Sequence, residues 1–291
     1  MGKKEWDLLE EIKPALAKAH AEMLADPFHT LLPKQRLPLY DSIFYTLDRY
    51  SDEPFISIFW DCLAIVTARK ILPVWESKMP RDNLAQHILR FTEDYLSGKS
   101  KSKETFVYDR RTLQKAVANS EQTGVGDRAR AALKAIYSTL EPESGYLPFE
   151  KFSKRQIEAG LPDELIADIG GDTAGLAVLA YSGFAYDRDT LLTLEEGFKK
   201  QQEEIENVPR TKATILFSIP IGILKKVFLR EKIEGHFHRL EQGPDNDFDP
   251  ELRKEFWEWW LFEAIPKTWD LSQRIAEGTG KKDKNGMPLE F

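Results

Sequence analysis

Apolar positions recur at three- and four-residue steps along most of the chain, the spacing that places side chains on one face of an α-helix. Trp6, Leu9, Ile12, Leu16, Ala19 and Met23 make the first stripe, with Pro14 expected to kink it or delay its start. Leu37, Tyr40, Ile43, Phe44 and Leu47 make the second, and Phe55, Ile58, Phe59, Cys62 and Val66 the third, which Pro54 is placed to open. Asp82 can cap a helix carrying Leu84, Ile88, Phe91 and Tyr95, stopped by Gly98. Asp127 can cap another through Ala131, Ala135, Ile136 and Leu140.

The run Glu141-Pro142-Glu143-Ser144-Gly145 breaks this pattern and is the best internal boundary, so two helical units are expected, 1–141 and 142–291, the second packed on the first. Beyond it, Pro162-Asp163 reads as a helix start and Asp172 as the cap of a helix rich in small residues. Asp189 can cap a long amphipathic helix. In Ala213–Ile223 strand and helix compete, and Pro220 favours the helix. Two last helices are expected, Pro250–Glu263 and Lys267–Glu277. Strand alternation bounded by hairpin turns is missing. The expected fold is all-α, an irregular multi-helix bundle of roughly a dozen helices.

Composition narrows the function classes. Hydrophobic residues make up 42 % of the chain and charged residues 31 %, ample for a core. The net charge of −7 disfavours nucleic acid as a partner and suits a basic protein partner. Cys62 is the only cysteine and sits in an apolar run, so it reads as a buried small hydrophobe in a reducing, cytoplasmic setting. The longest apolar run, Ala213–Leu224, is too short for the roughly 20 residues that span a bilayer, so no membrane association is expected.

The chemistry candidates are weak one by one. Gly98-Lys99-Ser100 ends like a phosphate loop, but Glu93 stands where its first glycine should be. Asp245-Asn246-Asp247-Phe248-Asp249 alternates oxygen donors, yet Pro250 and Phe256 occupy positions where a calcium loop needs glycine and glutamate. Asp249 instead reads as the cap of the helix opened by Pro250. His236 and His238 diverge on a helix and show no third ligand, so neither a metal nor another cofactor is expected. An enzyme would need an active site assembled from distant residues such as Asp172, Tyr181 and Asp187. The densest aromatic stretch, Phe256–Phe262, points all round a helix axis; most of it should be buried, with Trp259, among Glu255, Glu258 and Glu263, the ring most expected outside. Together with Asp245, Asp247 and Asp249 upstream, Trp259 could offer acid plus aromatic to a basic partner.

One stretch carries a resemblance. Arg69-Lys70-Ile71-Leu72-Pro73-Val74-Trp75-Glu76, continuing through Pro80 and Asp82 to Leu96-Ser97-Gly98, resembles the helix–turn–helix signature of an all-helical immunity family of bacterial polymorphic-toxin systems, the type numbered five. In residue terms Pro73 should end a helix, Trp75 fold back as an anchor and Asp82 start the next helix. The resemblance is strong over residues 68–98 and looser from Ile43 to Leu140; Ala85 stands where the family's pattern carries proline, and nothing matches from about Pro142 onward. It implies that 1–141 is an immunity-like domain, with Arg69, Pro73, Trp75, Pro80 and Asp82 as its structural motif. It also implies a non-enzymatic protein that neutralises a cognate toxin by direct complex formation. The expected partner-binding residues are Glu76, Asp245, Asp247, Asp249 and Trp259. The alternatives at this stage are a helical enzyme or a regulatory, scaffold-like interaction module. Sequence leaves the toxin's identity and the oligomeric state open.

Overall fold

A computed structural model describes residues 7–99, 111–112, 127–140, 145, 160, 162–166, 172–186 and 248–277. The expectations on Asp187, Asp189, the Ala213–Leu224 run, His236, His238, Asp245 and Asp247 lie outside these residues. Among the described residues the structure is helical throughout. The elements are α1 (Leu8–Ala25), α2 (Pro33–Tyr50), α3 (Glu53–Lys78), α4 (Leu84–Leu96), α5 (Asp127–Ser138), the single turn α6 (Asp163–Ile166) and α7 (Thr173–Ser182). They end with α8 (Pro250–Trp259), a π-helical turn (Trp260–Ala264) and α9 (Ile265–Ala276), which follow one another without a break.

The all-α class is as expected, but with the continuous α8–π–α9 run counted as one, the described residues hold seven helices of more than one turn, not about a dozen. Two expected breaks do not occur. Pro73 lies inside α3, which runs on to Lys78. Pro266 lies inside the C-terminal helix, which absorbs the missing N–H by passing through a π turn rather than stopping. Proline costs about 3 kcal/mol inside a helix, and both prolines sit where burial of several large side chains on the same helix outweighs that. α1 likewise begins at Leu8, capped by Asp7, well ahead of Pro14.

α3 is the axis of the molecule. Cys62, Leu63, Ala64, Ile65, Val66, Thr67 and Ala68 are consecutive and all buried, so the helix is covered on every side. It packs against α2, α4, α5, α7 and the C-terminal helix. Buried apolar side chains from Leu8 to Leu271 form one continuous cluster. Its aromatic centre joins Tyr40 to Trp60 (5.7 Å) and Trp260 (5.9 Å), edge to face, and Trp257 to Trp260 (5.7 Å). The Trp260 indole N–H donates to the Thr67 hydroxyl at 3.2 Å.

Several sequence readings hold at the level of caps. Asp172 accepts from the Gly175 N–H, and Asp249 from Glu251 and Leu252. α4 ends as expected at Gly98, whose φ of +67° suits glycine. The Gly98 N–H bonds the Tyr95 carbonyl and the Lys99 N–H the Asp94 carbonyl, which closes the helix end. Cys62 is fully buried, and burial pushes its thiol up to about 12. No described helix is long and apolar enough to cross a membrane.

Candidate partner-binding surface

The stretch Arg69–Gly98 forms a hairpin of α3 and α4 with a polar seam. Arg69 donates Nε and Nη2 to the two oxygens of Glu93 at 2.6 and 2.7 Å, a forked pair. Burial pushes the Glu93 carboxyl up, and Arg69 pulls it back. Two turns further along α3, Glu76 accepts from the Gln86 amide. Asp82 accepts from the Leu84 N–H at 2.7 Å, one residue ahead of the N-cap Asn83, so it holds the first N–H of α4 without occupying the cap itself. Trp75 is fully buried from within α3 rather than by folding back, because the helix continues past Pro73. Pro73 and Pro80 are exposed.

Beside this seam α3 meets the C-terminal helix across a cleft of about 410 Å³, lined by Val66, Arg69 and Lys70 on one wall and Trp259, Glu263, Ala264 and Lys267 on the other. Trp259 is half-buried, with the Lys70 ammonium 5.1 Å from its ring centre and 5.3 Å from that of Tyr181. The ring that stands outside is Phe262, 47 % exposed, against His20 at 5.0 Å. Phe256, Trp257 and Trp260 are buried, as most of this stretch was expected to be. Glu76 therefore lies on the α3–α4 seam, Trp259 in the cleft, and exposed Asp249 at the start of α8, roughly 15 Å along the helix from Trp259.

The largest feature missed in the sequence is a buried ionic network. Arg36, fully buried, uses all five N–H donors. They reach Asp163 (2.7 and 2.8 Å), Asp172 (2.6 and 3.1 Å) and the Leu31 carbonyl (2.6 Å). Tyr40 donates its hydroxyl to Asp172, and the Trp257 ring stacks 5.2 Å from the guanidinium. Beside it, buried Arg253 donates to Glu164 (3.2 Å), the Ser182 hydroxyl (3.0 Å) and the Gly183 carbonyl (2.7 Å). Three carboxylates thus share two guanidiniums. Burial would weaken the charge on Arg36, but Asp163 and Asp172 outweigh it and hold the proton more firmly than usual. Burial pushes Asp163 up against the pull of Arg36, with Asp172 and Glu164 adding to the rise. Burial and Asp172 likewise raise Tyr40.

This network also fixes the standing of the residues considered for catalysis. Asp172 is sealed, its oxygens taken by Arg36, Tyr40 and Gly175. Tyr181 donates to Glu255 at 2.6 Å on the far side of α7, and burial pushes it up to about 12. The two do not converge on a common site. A signal for the network was present: Arg36 sits within the stripe Pro33, Leu37, Tyr40, and Arg253 three and four residues before Phe256 and Trp257, so both guanidiniums occupy core positions.

The profile of the family described as Immunity protein Imm5 matches residues 18–188. The chain belongs to this immunity protein family. Comparison with curated proteins gives no match. The family segment begins within α1 and ends just after α7, so it extends well past Pro142, where the resemblance in the sequence stopped. It contains the hairpin seam and Arg36, Asp163, Glu164 and Asp172; Arg253, Trp257 and the Trp259 wall of the cleft lie beyond it.

Proposed function

We propose that this Imm5 family member neutralises a cognate toxin by binding it directly, without catalysis. Membership in the immunity family over residues 18–188 carries the reading. The fold is in keeping with it: Asp172 and Tyr181, the strongest acid–base candidates, are consumed by the core and by Glu255. The partner-binding surface we assign is Glu76, Asp249 and Trp259, with Asp245 and Asp247 just upstream of α8. Its carboxylates and the chain's net charge of −7 suit a toxin with basic segments, met in the cytoplasm.

Co-expression with the products of the neighbouring genes, scored for survival, tests the reading. Survival together with a complex that copurifies and weakens with salt is the expected result. Rescue without any physical complex would refute direct binding, and no rescue by any neighbouring toxin would refute the neutralising role.

A further inference from the structure

We propose that the cleft between α3 and the C-terminal helix receives an acidic side chain of the toxin, held between the Lys70 and Lys267 ammonium groups against Trp259; this rests on the complex proposed above. The chain is acidic overall, yet this cleft is lined by three cations, Arg69, Lys70 and Lys267, and one carboxylate, Glu263. The lining itself is therefore net positive, with Glu93 and Glu255 just outside it against Arg69 and Lys70.

The three cations are not equally satisfied. Arg69 is neutralised by its fork with Glu93. Lys70 is 27 % exposed and pinned by the faces of Trp259 and Tyr181; its nearest carboxylate, Glu255, is 3.8 Å away, beyond hydrogen-bonding distance. An ammonium has three N–H donors, and rings attract its charge without accepting those bonds as an oxygen does. Lys267 is exposed and has no ion pair among the described residues. Among the described residues the cleft therefore offers one positioned ammonium with no carboxylate at hydrogen-bonding distance and one exposed ammonium, with the Trp259 ring in the same lining.

The space is a product of the local sequence. Ile265 N–H bonds the Trp260 carbonyl across a π turn, and Pro266 supplies no N–H to the carbonyls that follow. Ala264, within that turn, and Val66 are the buried part of the lining, while exposed Glu263 and Lys267 form the rim. At about 410 Å³ the volume is near the small end for ligand sites. It fits a side chain from a protein surface, and a carboxylate is the group that answers both ammoniums.

The test uses the full chain with the adjacent toxin. Lys267→Glu and Lys70→Met are made beside the control Lys13→Glu on exposed α1; Met keeps the aliphatic stem against the rings. The expected result is a dissociation constant raised about tenfold or more by each cleft variant and unchanged by the control. Reversing one acidic toxin residue to Lys should restore binding to Lys267→Glu. A wild-type complex that neither cleft variant weakens overturns the cleft and leaves neutralisation standing. Failure of the wild-type chain to bind overturns neutralisation instead. The cleft is then judged by the ¹⁹F resonance of 5-fluorotryptophan at position 259, assigned with Trp259→Phe. A shift with a penta-glutamate peptide, absent with penta-lysine and lost in Lys70→Met, supports it; no shift, or one with free glutamate alone, overturns it.

Discussion

Replacing Arg36 with Met should be the most damaging single change short of disrupting the apolar core. Met matches the unbranched stem but leaves Asp163 and Asp172 buried without their guanidinium, and the Leu31 carbonyl without its donor. Breaking a buried ion pair from one side costs about 3–5 kcal/mol, a large part of the roughly 5–15 kcal/mol that holds a typical domain together. With a urea slope of about 3 kcal/mol/M, the unfolding midpoint followed by circular dichroism should fall by about 1–1.7 M at pH 8. The loss should depend on pH in a definite direction. Asp163 already sits above its ordinary value in the folded chain, and removing Arg36 raises it further. An acid that holds its proton more firmly when folded favours folding at low pH, and that advantage is lost as pH rises from about 4 through the folded value. The deficit relative to wild type should therefore shrink between pH 8 and pH 5. Adding Asp163→Asn and Asp172→Asn should recover part of it, because the orphaned charges are then gone. A deficit under about 1 kcal/mol, or one constant over this pH range, would falsify the view that the network is dry and paired.

Gly175→Ala should destabilise by about 1–3 kcal/mol in the same urea experiment, since an added Cβ would collide with the Asp163 and Asp172 carboxylates and lie 2.9 Å from Arg36 Nη2. The Cys62 thiol, pushed up to about 12 and buried, should resist Ellman's reagent at pH 8 until the chain unfolds; rapid labelling of the folded protein would contradict its place on the α3 axis. Arg69→Lys should cost about 1 kcal/mol, because one ammonium cannot reproduce the fork to half-buried Glu93. Stability equal to wild type would show that the seam does not depend on it.

Much of the helical architecture was legible because stripes such as Ile12, Leu16, Ala19 and Met23 are local patterns, and caps such as Asp249 act within four residues. α3 was harder to read. The stripe read at Phe55, Ile58, Phe59, Cys62 and Val66 marks one face, whereas residues 62–68 are buried all round, so the sequence shows the helix but not its centrality. Pro73 was misread as an end, and the helices on either side of Pro266 as separate, because the compensating burial of Trp75 and Trp269 is not visible in sequence. The ionic network is the extreme case. Arg36 meets partners 127 and 136 residues away, and Asp172 announces only the cap it also makes. Trp259 was singled out for its acidic neighbours and expected outside; it is half-buried, and the cation that meets it, Lys70, comes from another helix.

Arg253 ties the C-terminal helix to Glu164 across 89 residues of chain, and this bears on when a nascent molecule becomes whole. Ribosomes deliver roughly 5–20 residues per second. Glu164 therefore waits several seconds after emerging before its guanidinium exists. During that interval the growing chain lacks one of the two positive charges that its three inward-facing carboxylates require, and one wall of the cleft is not yet made. Packing of the centre and readiness of the surface arrive together, once α8 and α9 have left the ribosome.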